Sequence, residues 1–299
     1  MTFSSQVKNE LIKIEYENSC CKKSLLYGLC LFGKSFSSRN IAMQTENEAT
    51  AKLYCELLKE LCNIDVQFVV SPSGKNYTVD IEDSKLCTKI MGFFGHSANE
   101  PSIRINVNNF ICDTCVKAFI AGAFLSCGTI STPEKDYHLE FTVTYLNLSK
   151  SFMTLLNEID LHPKYSNRKK YFHHVIYFKD RESIEDCLYI MGASSSMFDM
   201  MNIEIIKDIR NSANRKANCE TANIEKMVKA AYPQLEAIDK IEKEKGIDWL
   251  PEQLQEIAYL RLENPDSSLS ELAQMIDPPI SKSGVNHRLK KLVKIAEDL

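Results

Sequence analysis

Phe119-Ile-Ala-Gly122-Ala-Phe-Leu-Ser-Cys-Gly128-Thr-Ile-Ser and, a repeat earlier, Leu25-Leu-Tyr-Gly-Leu-Cys-Leu-Phe-Gly33-Lys-Ser have the same shape. Each reads as an apolar helix that carries small residues and ends in glycine. Glycine and alanine leave no bulk between two backbones, so such helices can pack closely against each other. Working outward, the flanking elements also come twice. Residues 5–17 and 22–32 read as helices, 41–44 as a strand and 47–62 as a helix. The β-branched and aromatic runs 66–70 and 77–81, joined by Ser71-Pro-Ser-Gly-Lys-Asn76, predict a hairpin, and a helix follows at 84–94. The order then recurs: helix 112–125, alternating strand 137–145, helix 148–159, a hairpin of 164–167 with 173–178 around Arg168-Lys-Lys170, and a helix from 183. The prediction is an α+β chain: a duplicated α/β domain over 1–205, in two repeats of about 1–100 and 108–205. A helical linker over 206–245 and a three-helix domain over 246–299 follow.

The end of the chain reads Pro279-Ile-Ser-Lys-Ser-Gly-Val-Asn-His-Arg-Leu-Lys-Lys-Leu-Val-Lys-Ile-Ala-Glu297. Ile280, Val285, Leu289, Leu292 and Ile295 make one apolar stripe, and no acid interrupts 281–296. Before it, Pro251 opens a helix over 251–262, and Ser268 with Glu271 forms a capping box for a helix over 269–276. Three compact helices with the last one basic fit a helix-turn-helix, whose third helix enters the major groove. Ser281, Lys282, Ser283, Asn286 and His287 are then the readers of base edges. Arg288, Lys290 and Lys291 are contacts to phosphates or bases. The competing reading is a solvated amphipathic helix in a protein-binding bundle.

In the linker, Arg210-Asn-Ser-Ala-Asn-Arg-Lys-Ala-Asn-Cys-Glu220 sets Arg210, Asn214, Arg215 and Asn218 on one helical face. That face can grip phosphates or fix the orientation of two domains, and a solvated linker helix explains it as well.

The 299 residues are 44% hydrophobic and 25% charged with a net charge of −4, so affinity for a polyanion has to come from local basic patches. No apolar run approaches membrane-spanning length and the first residues lack a signal-peptide layout, so a cytoplasmic, nucleoid-associated protein is expected. Eleven cysteines, an odd number mostly in apolar surroundings, fit reduced buried thiols. Cys112-Asp-Thr-Cys115 is a lone CxxC. Cys20-Cys21 and His96 are the candidates for a second ligand pair, but their spacing matches no zinc finger, and His173-His174 reads as strand surface. No metal, cofactor or small-molecule substrate is therefore expected.

The two glycine-ended helices resemble the signature helices of LAGLIDADG homing endonucleases. In those enzymes the acidic residue before the final glycine holds the divalent metal. Phe32 and Cys127 stand there instead, and neither suits a hard cation. The resemblance thus implies the fold and argues against catalysis. Over nearly its whole length the chain resembles the WhiA family, bacterial DNA-binding regulators with a degenerate LAGLIDADG domain and a C-terminal helix-turn-helix. The resemblance rests on Phe3-Ser-Ser-Gln-Val-Lys-Asn-Glu-Leu11, Ala121-Gly-Ala-Phe-Leu125 with Gly128, Tyr137-His-Leu-Glu-Phe141, Arg210-Asn211, Asn214-Arg215 and Asn218-Cys-Glu-Thr-Ala-Asn223. It continues in Leu250-Pro251, Leu260-Arg-Leu262 and Ser281-Lys-Ser-Gly-Val-Asn-His-Arg-Leu289. Cys127 departs from the family, which has glycine there. The resemblance implies double-stranded DNA as partner and a transcriptional role tied to sporulation in some lineages, or to cell division and chromosome segregation in others. The alternative is a division or chromosome-associated protein whose N-terminal domain works through contacts with other transcription or division proteins.

Overall fold

A computed structural model describes residues 2–168 and 173–299, which divide into two compact units, Met1–Lys207 and Asp208–Leu299. Lys169 and Lys170 of the basic cluster lie outside the described residues.

The first unit is built from two copies of one arrangement. Helices α1 (Phe3–Ile12) and α2 (Ser19–Leu31) lead to strands β1 (Ser35–Phe36) and β2 (Ile41–Thr45), helix α3 (Glu48–Cys62), strands β3 (Val69–Val70) and β4 (Tyr77–Ile81), and helix α4 (Ser84–Phe93). The second copy runs through α5 (Asp113–Cys127), β5 (Gly128–Ile130), β6 (Leu139–Val143), α6 (Leu146–Glu158), β7 (Lys164–Arg168), β8 (His173–Phe178) and α7 (Arg181–Met191). Each copy folds one antiparallel four-stranded sheet, in the orders β1-β2-β4-β3 and β5-β6-β8-β7. The identical order is the duplication the sequence predicts. Register pairs buried residues in both sheets: Met43 faces Val79, and Phe141 faces Ile176.

Helices α2 and α5 pack backbone to backbone. A Cβ on Gly28 would lie 2.3 Å from the Phe119 carbonyl oxygen, and one on Gly122 would lie 2.2 Å from that of Leu25. The reciprocity means that each glycine makes room for the other helix. Aromatic rings fill the space around the crossing, where Phe119 meets Tyr27, Phe32, Phe110 and Phe152 at centroid distances of 5.0–6.3 Å. Single-residue devices end the outer helices. Asn47 accepts from the Thr50 N–H to start α3, and Gly192 ends α7 at φ +90°.

Helix α8 spans Ser194–Glu244. Its start is held by α1: the Glu10 carboxylate accepts from the Ser195 and Ser196 N–H groups at 2.7 and 2.9 Å and from the Ser196 hydroxyl at 2.6 Å. A carboxylate on the first free N–H groups of a helix satisfies them and opposes the helix dipole. Residues 208–230 of α8 are all exposed.

The second unit has its own core. After a 3-10 turn at Ile247–Trp249 come α9 (Glu252–Glu263), α10 (Leu269–Met275) and α11 (Lys282–Asp298). Leu254, Ile257, Leu272, Ile276, Val285, Leu289 and Leu292 pack together, and Ala237, Ile238 and Ile241 of α8 join them. The end of the predicted linker thus belongs to the C-terminal core, because three short helices leave an apolar face that the last turns of α8 cover. Two polar ties reinforce this: Lys240 Nζ donates to the Ala296 carbonyl at 2.8 Å, and the Glu242 carboxylate accepts from the Ile247 N–H at 2.7 Å.

A further expectation is revised. The Cys112/Cys115 pair does not stand alone, since the crossing of α2 and α5 brings Cys20 and Cys21 to it. His96 goes elsewhere, bonded to the Tyr27 hydroxyl at 2.8 Å and to Glu100 at 2.7 Å. Among the described residues no helix is long and apolar enough to cross a membrane.

Candidate nucleic-acid interface

Helix α11 owes its position to its apolar stripe. Val285, Leu289, Leu292 and Ala296 are buried, and Ile280, Val293 and Ile295 pack half-buried beside them. Ala296, one turn beyond Leu292, takes the buried place predicted for Ile295. Ser281 starts the helix by accepting from the Gly284 N–H at 3.1 Å. The capping box of α10 forms as predicted, with the Ser268 N–H donating to Glu271 at 2.6 Å and the Glu271 N–H to Ser268 at 3.3 Å. The Ser268 N–H, with the Ser268 hydroxyl beside it, holds the Glu271 carboxyl below its usual pKa.

With the stripe turned inward, Ser283, His287, Lys290, Lys291 and Lys294 are exposed together. At 100° per residue they fall within an arc of about 100° centred opposite the middle of the buried Val285, Leu289, Leu292 and Ala296 stripe. Lys282, the first residue of α11, is exposed but lies off this arc, and Asn286 is half-buried at the edge of the face. Lys294 was not among the predicted contacts, although its spacing of three and four from Lys291 and Lys290 carries the signal. The outward surface is therefore cationic with short polar groups near the helix start, which can pair with phosphates and hydrogen-bond to base edges.

Arg288 has a partner within the unit. Its Nη1 lies 3.2 Å from Glu256 of α9, with the side chain only 20% exposed. It braces α11 against α9 rather than projecting freely. We expect Arg288→Ala to cost the unit about 0.5–1 kcal/mol, the size of a partly exposed pair. Thermal unfolding of Arg288→Ala, Glu256→Ala and the double variant checks this. Additive losses would mean that the pair contributes nothing.

Arg261, which sequence reasoning left without a role, is buried on α9. Its Nη1 donates to the Ser267 carbonyl at 2.8 Å and reaches the Asn264 and Pro265 carbonyls at 3.5 and 3.4 Å. Burial lowers its pKa. It fixes the turn between the two supporting helices, and only the folded loop reveals those acceptors.

Along α8, Arg210, Asn214, Arg215 and Asn218 are exposed and share an arc of about 140°. Neither arginine has an ion-pair partner among the described residues.

In the first unit, the ends of α2 and α5 border a cleft of about 850 Å³. Phe32 there is buried and packs against Phe152, the rings tilted with their centroids 4.7 Å apart. Burial pushes the Cys127 thiol up to about 12, with Lys8 beside it pulling the other way. Burial in turn lowers the Lys8 ammonium, against the attraction of Cys127 and Glu46. Glu46 is the one carboxylate lining the cleft among the described residues. A hard divalent cation needs several carboxylate oxygens, so this donor set does not fit one.

The sequence pattern of the WhiA C-terminal HTH domain matches residues 213–296, and that of the WhiA LAGLIDADG-like domain matches 116–210. A probable cell division protein WhiA of Clostridium botulinum is 40% identical over 316 residues, spanning 100% of this chain and 99% of that protein. The chain belongs to the WhiA family. A relative of the same description from Clostridium beijerinckii is 41% identical over 315 residues, again across 100% of this chain and 99% of the relative. Full-length DUF199/WhiA from Thermotoga maritima matches in structure with a TM-score of 0.61 at 24% identity, covering 100% of this chain and 99% of that one. A structure of the N-terminal LAGLIDADG domain of DUF199/WhiA matches with a TM-score of 0.51 at 21% identity, over 64% of this chain and 90% of that one. The fold is thus the WhiA one: a mixed α/β LAGLIDADG-like region followed by a helical HTH domain. The HTH pattern begins at 213, well inside α8, in keeping with the share that α8 takes in the C-terminal core.

Proposed function

We propose that this WhiA-family chain is a non-catalytic, sequence-specific DNA-binding protein that regulates transcription. The carrying observation is the outward face of α11, where Ser283, His287, Lys290, Lys291 and Lys294 are exposed together on a helix held by its apolar side. Helix α11 lies in the major groove, with Ser281, Lys282, Ser283, Asn286 and His287 toward base edges and Lys290, Lys291 and Lys294 toward phosphates. Arg210, Asn214 and Arg215 add backbone contacts along α8. Curated relatives carry the name probable cell division protein, which supports a place in cell division. The family resemblance extends that to chromosome segregation or sporulation, and DNA binding puts the protein at the nucleoid.

Absence of catalysis follows from Phe32 and Cys127 at the cleft. Plasmid incubated with highly purified protein and magnesium or manganese should stay supercoiled. Metal-dependent nicking that a point change in the first unit abolishes would overturn this part of the reading. The DNA-binding part is tested by selection from a random duplex pool with the full chain, which should enrich one sequence motif. Recovery of random sequence contradicts it. If the cellular role survives deletion of residues 246–299, protein contacts of the first unit carry it instead.

A further inference from the structure

The sulfurs of Cys20, Cys21, Cys112 and Cys115 all lie within 4.8 Å of one another. The individual Sγ–Sγ distances are 3.5 Å for Cys21–Cys112, 3.5 Å for Cys112–Cys115, 3.8 Å for Cys20–Cys112 and 4.0 Å for Cys20–Cys21. Four thiolates about 2.3 Å from one tetrahedral ion stand about 3.8 Å apart, so the observed spacing is that of a single coordination sphere. A four-iron cluster sits between its cysteines and spreads them farther. A disulfide would bring two of the sulfurs to about 2 Å.

The backbone supports the same conclusion. Cys20 and Cys21 are in the first turn of α2, Cys112 is the N-cap of α5 and Cys115 is in its first turn. Neither helix has a side-chain cap hydrogen bond. All four cysteines therefore sit at a helix start, where the helix dipole favours negative charge. Cys21 and Cys115 are buried, and Cys20 and Cys112 are half-buried, so the site is closed by protein. Among the described residues no other group of three or more metal-ligating side chains gathers: Cys30 meets the Tyr54 hydroxyl, and Cys87 donates to the Ile81 carbonyl.

We infer that Cys20, Cys21, Cys112 and Cys115 form a structural zinc site that ties the start of α2 in the first repeat to the start of α5 in the second. Soft thiolates select zinc over magnesium or calcium, and four protein ligands leave no position for substrate. Binding converts four thiols and one Zn²⁺ into a tetrathiolate of charge −2 and releases the four thiol protons, so retention should fail as pH falls.

The test uses the full chain expressed with zinc in the medium and purified without chelator. Elemental analysis should give about one zinc per chain. Alkylation before and after removing the metal, mapped by peptide mass spectrometry, should show protection of these four cysteines and not of Cys219. Cobalt in place of zinc should give intense tetrahedral thiolate bands. Cys115→Ser should lose the zinc while Cys219→Ser keeps it, and if Cys115→Ser fails to fold, the protection pattern of the parent decides. Zinc well below one per chain, equal alkylation with and without metal, a Cys112–Cys115 disulfide or an iron–sulfur chromophore would each overturn the assignment.

Discussion

Leu289→Ala is expected to unfold the C-terminal unit and abolish DNA binding. Leu289 is fully buried at the middle of α11, among Ile257, Leu272, Val285 and Leu292. Truncating a buried leucine removes its transfer free energy and leaves a cavity, together about 2–5 kcal/mol. Small units are marginal, so a loss of that size is a large part of the total. Denaturant unfolding should show an early transition for the C-terminal unit and an unchanged one for the first. Retained binding with native-like unfolding would mean that α11 is not anchored by this stripe.

The second large effect is electrostatic. Lys290→Ala with Lys291→Ala removes two exposed cations from the outward face without touching the core. Each phosphate contact contributes about 0.9 to the slope of log K against log salt. Losing two should flatten the slope by about 1.8 and weaken binding roughly 60-fold at 0.1 M salt, with the curves converging toward 1 M. Target and random duplexes should suffer alike, since phosphates carry no sequence. A loss confined to the target would move these lysines among the base readers.

How much of this was legible beforehand depends on the range of the interactions. The duplication was readable because the two glycine-ended helices and their hairpins repeat the same local signals. The two-residue β1 and three-residue β5 were missed, being too short to show alternation. The strand predicted over 66–70 shrinks to Val69–Val70, since Val66 and Phe68 pack against the core instead of pairing. The helical linker is predicted from 206, whereas α8 starts at Ser194, because the carboxylate that caps it comes from Glu10, far away in sequence. The stripe of α11 was evident from spacing, but the Arg288 partner on α9 was not. The cysteine cluster shows the same limit, because Cys21 and Cys112 are 91 positions apart and only the helix crossing joins them.

The most direct test of the central claim is a salt titration of affinity for the selected duplex and a random one, with the parent chain, Ser283→Ala and Asn286→Ala. A good base contact is worth about 1–3 kcal/mol. The two variants should lose roughly 5- to 150-fold on the selected duplex, keep the parent affinity for random DNA and keep the parent salt slope. Circular dichroism should be unchanged, since both side chains lie off the buried stripe. If both variants discriminate the two duplexes as the parent does, α11 does not read the sequence.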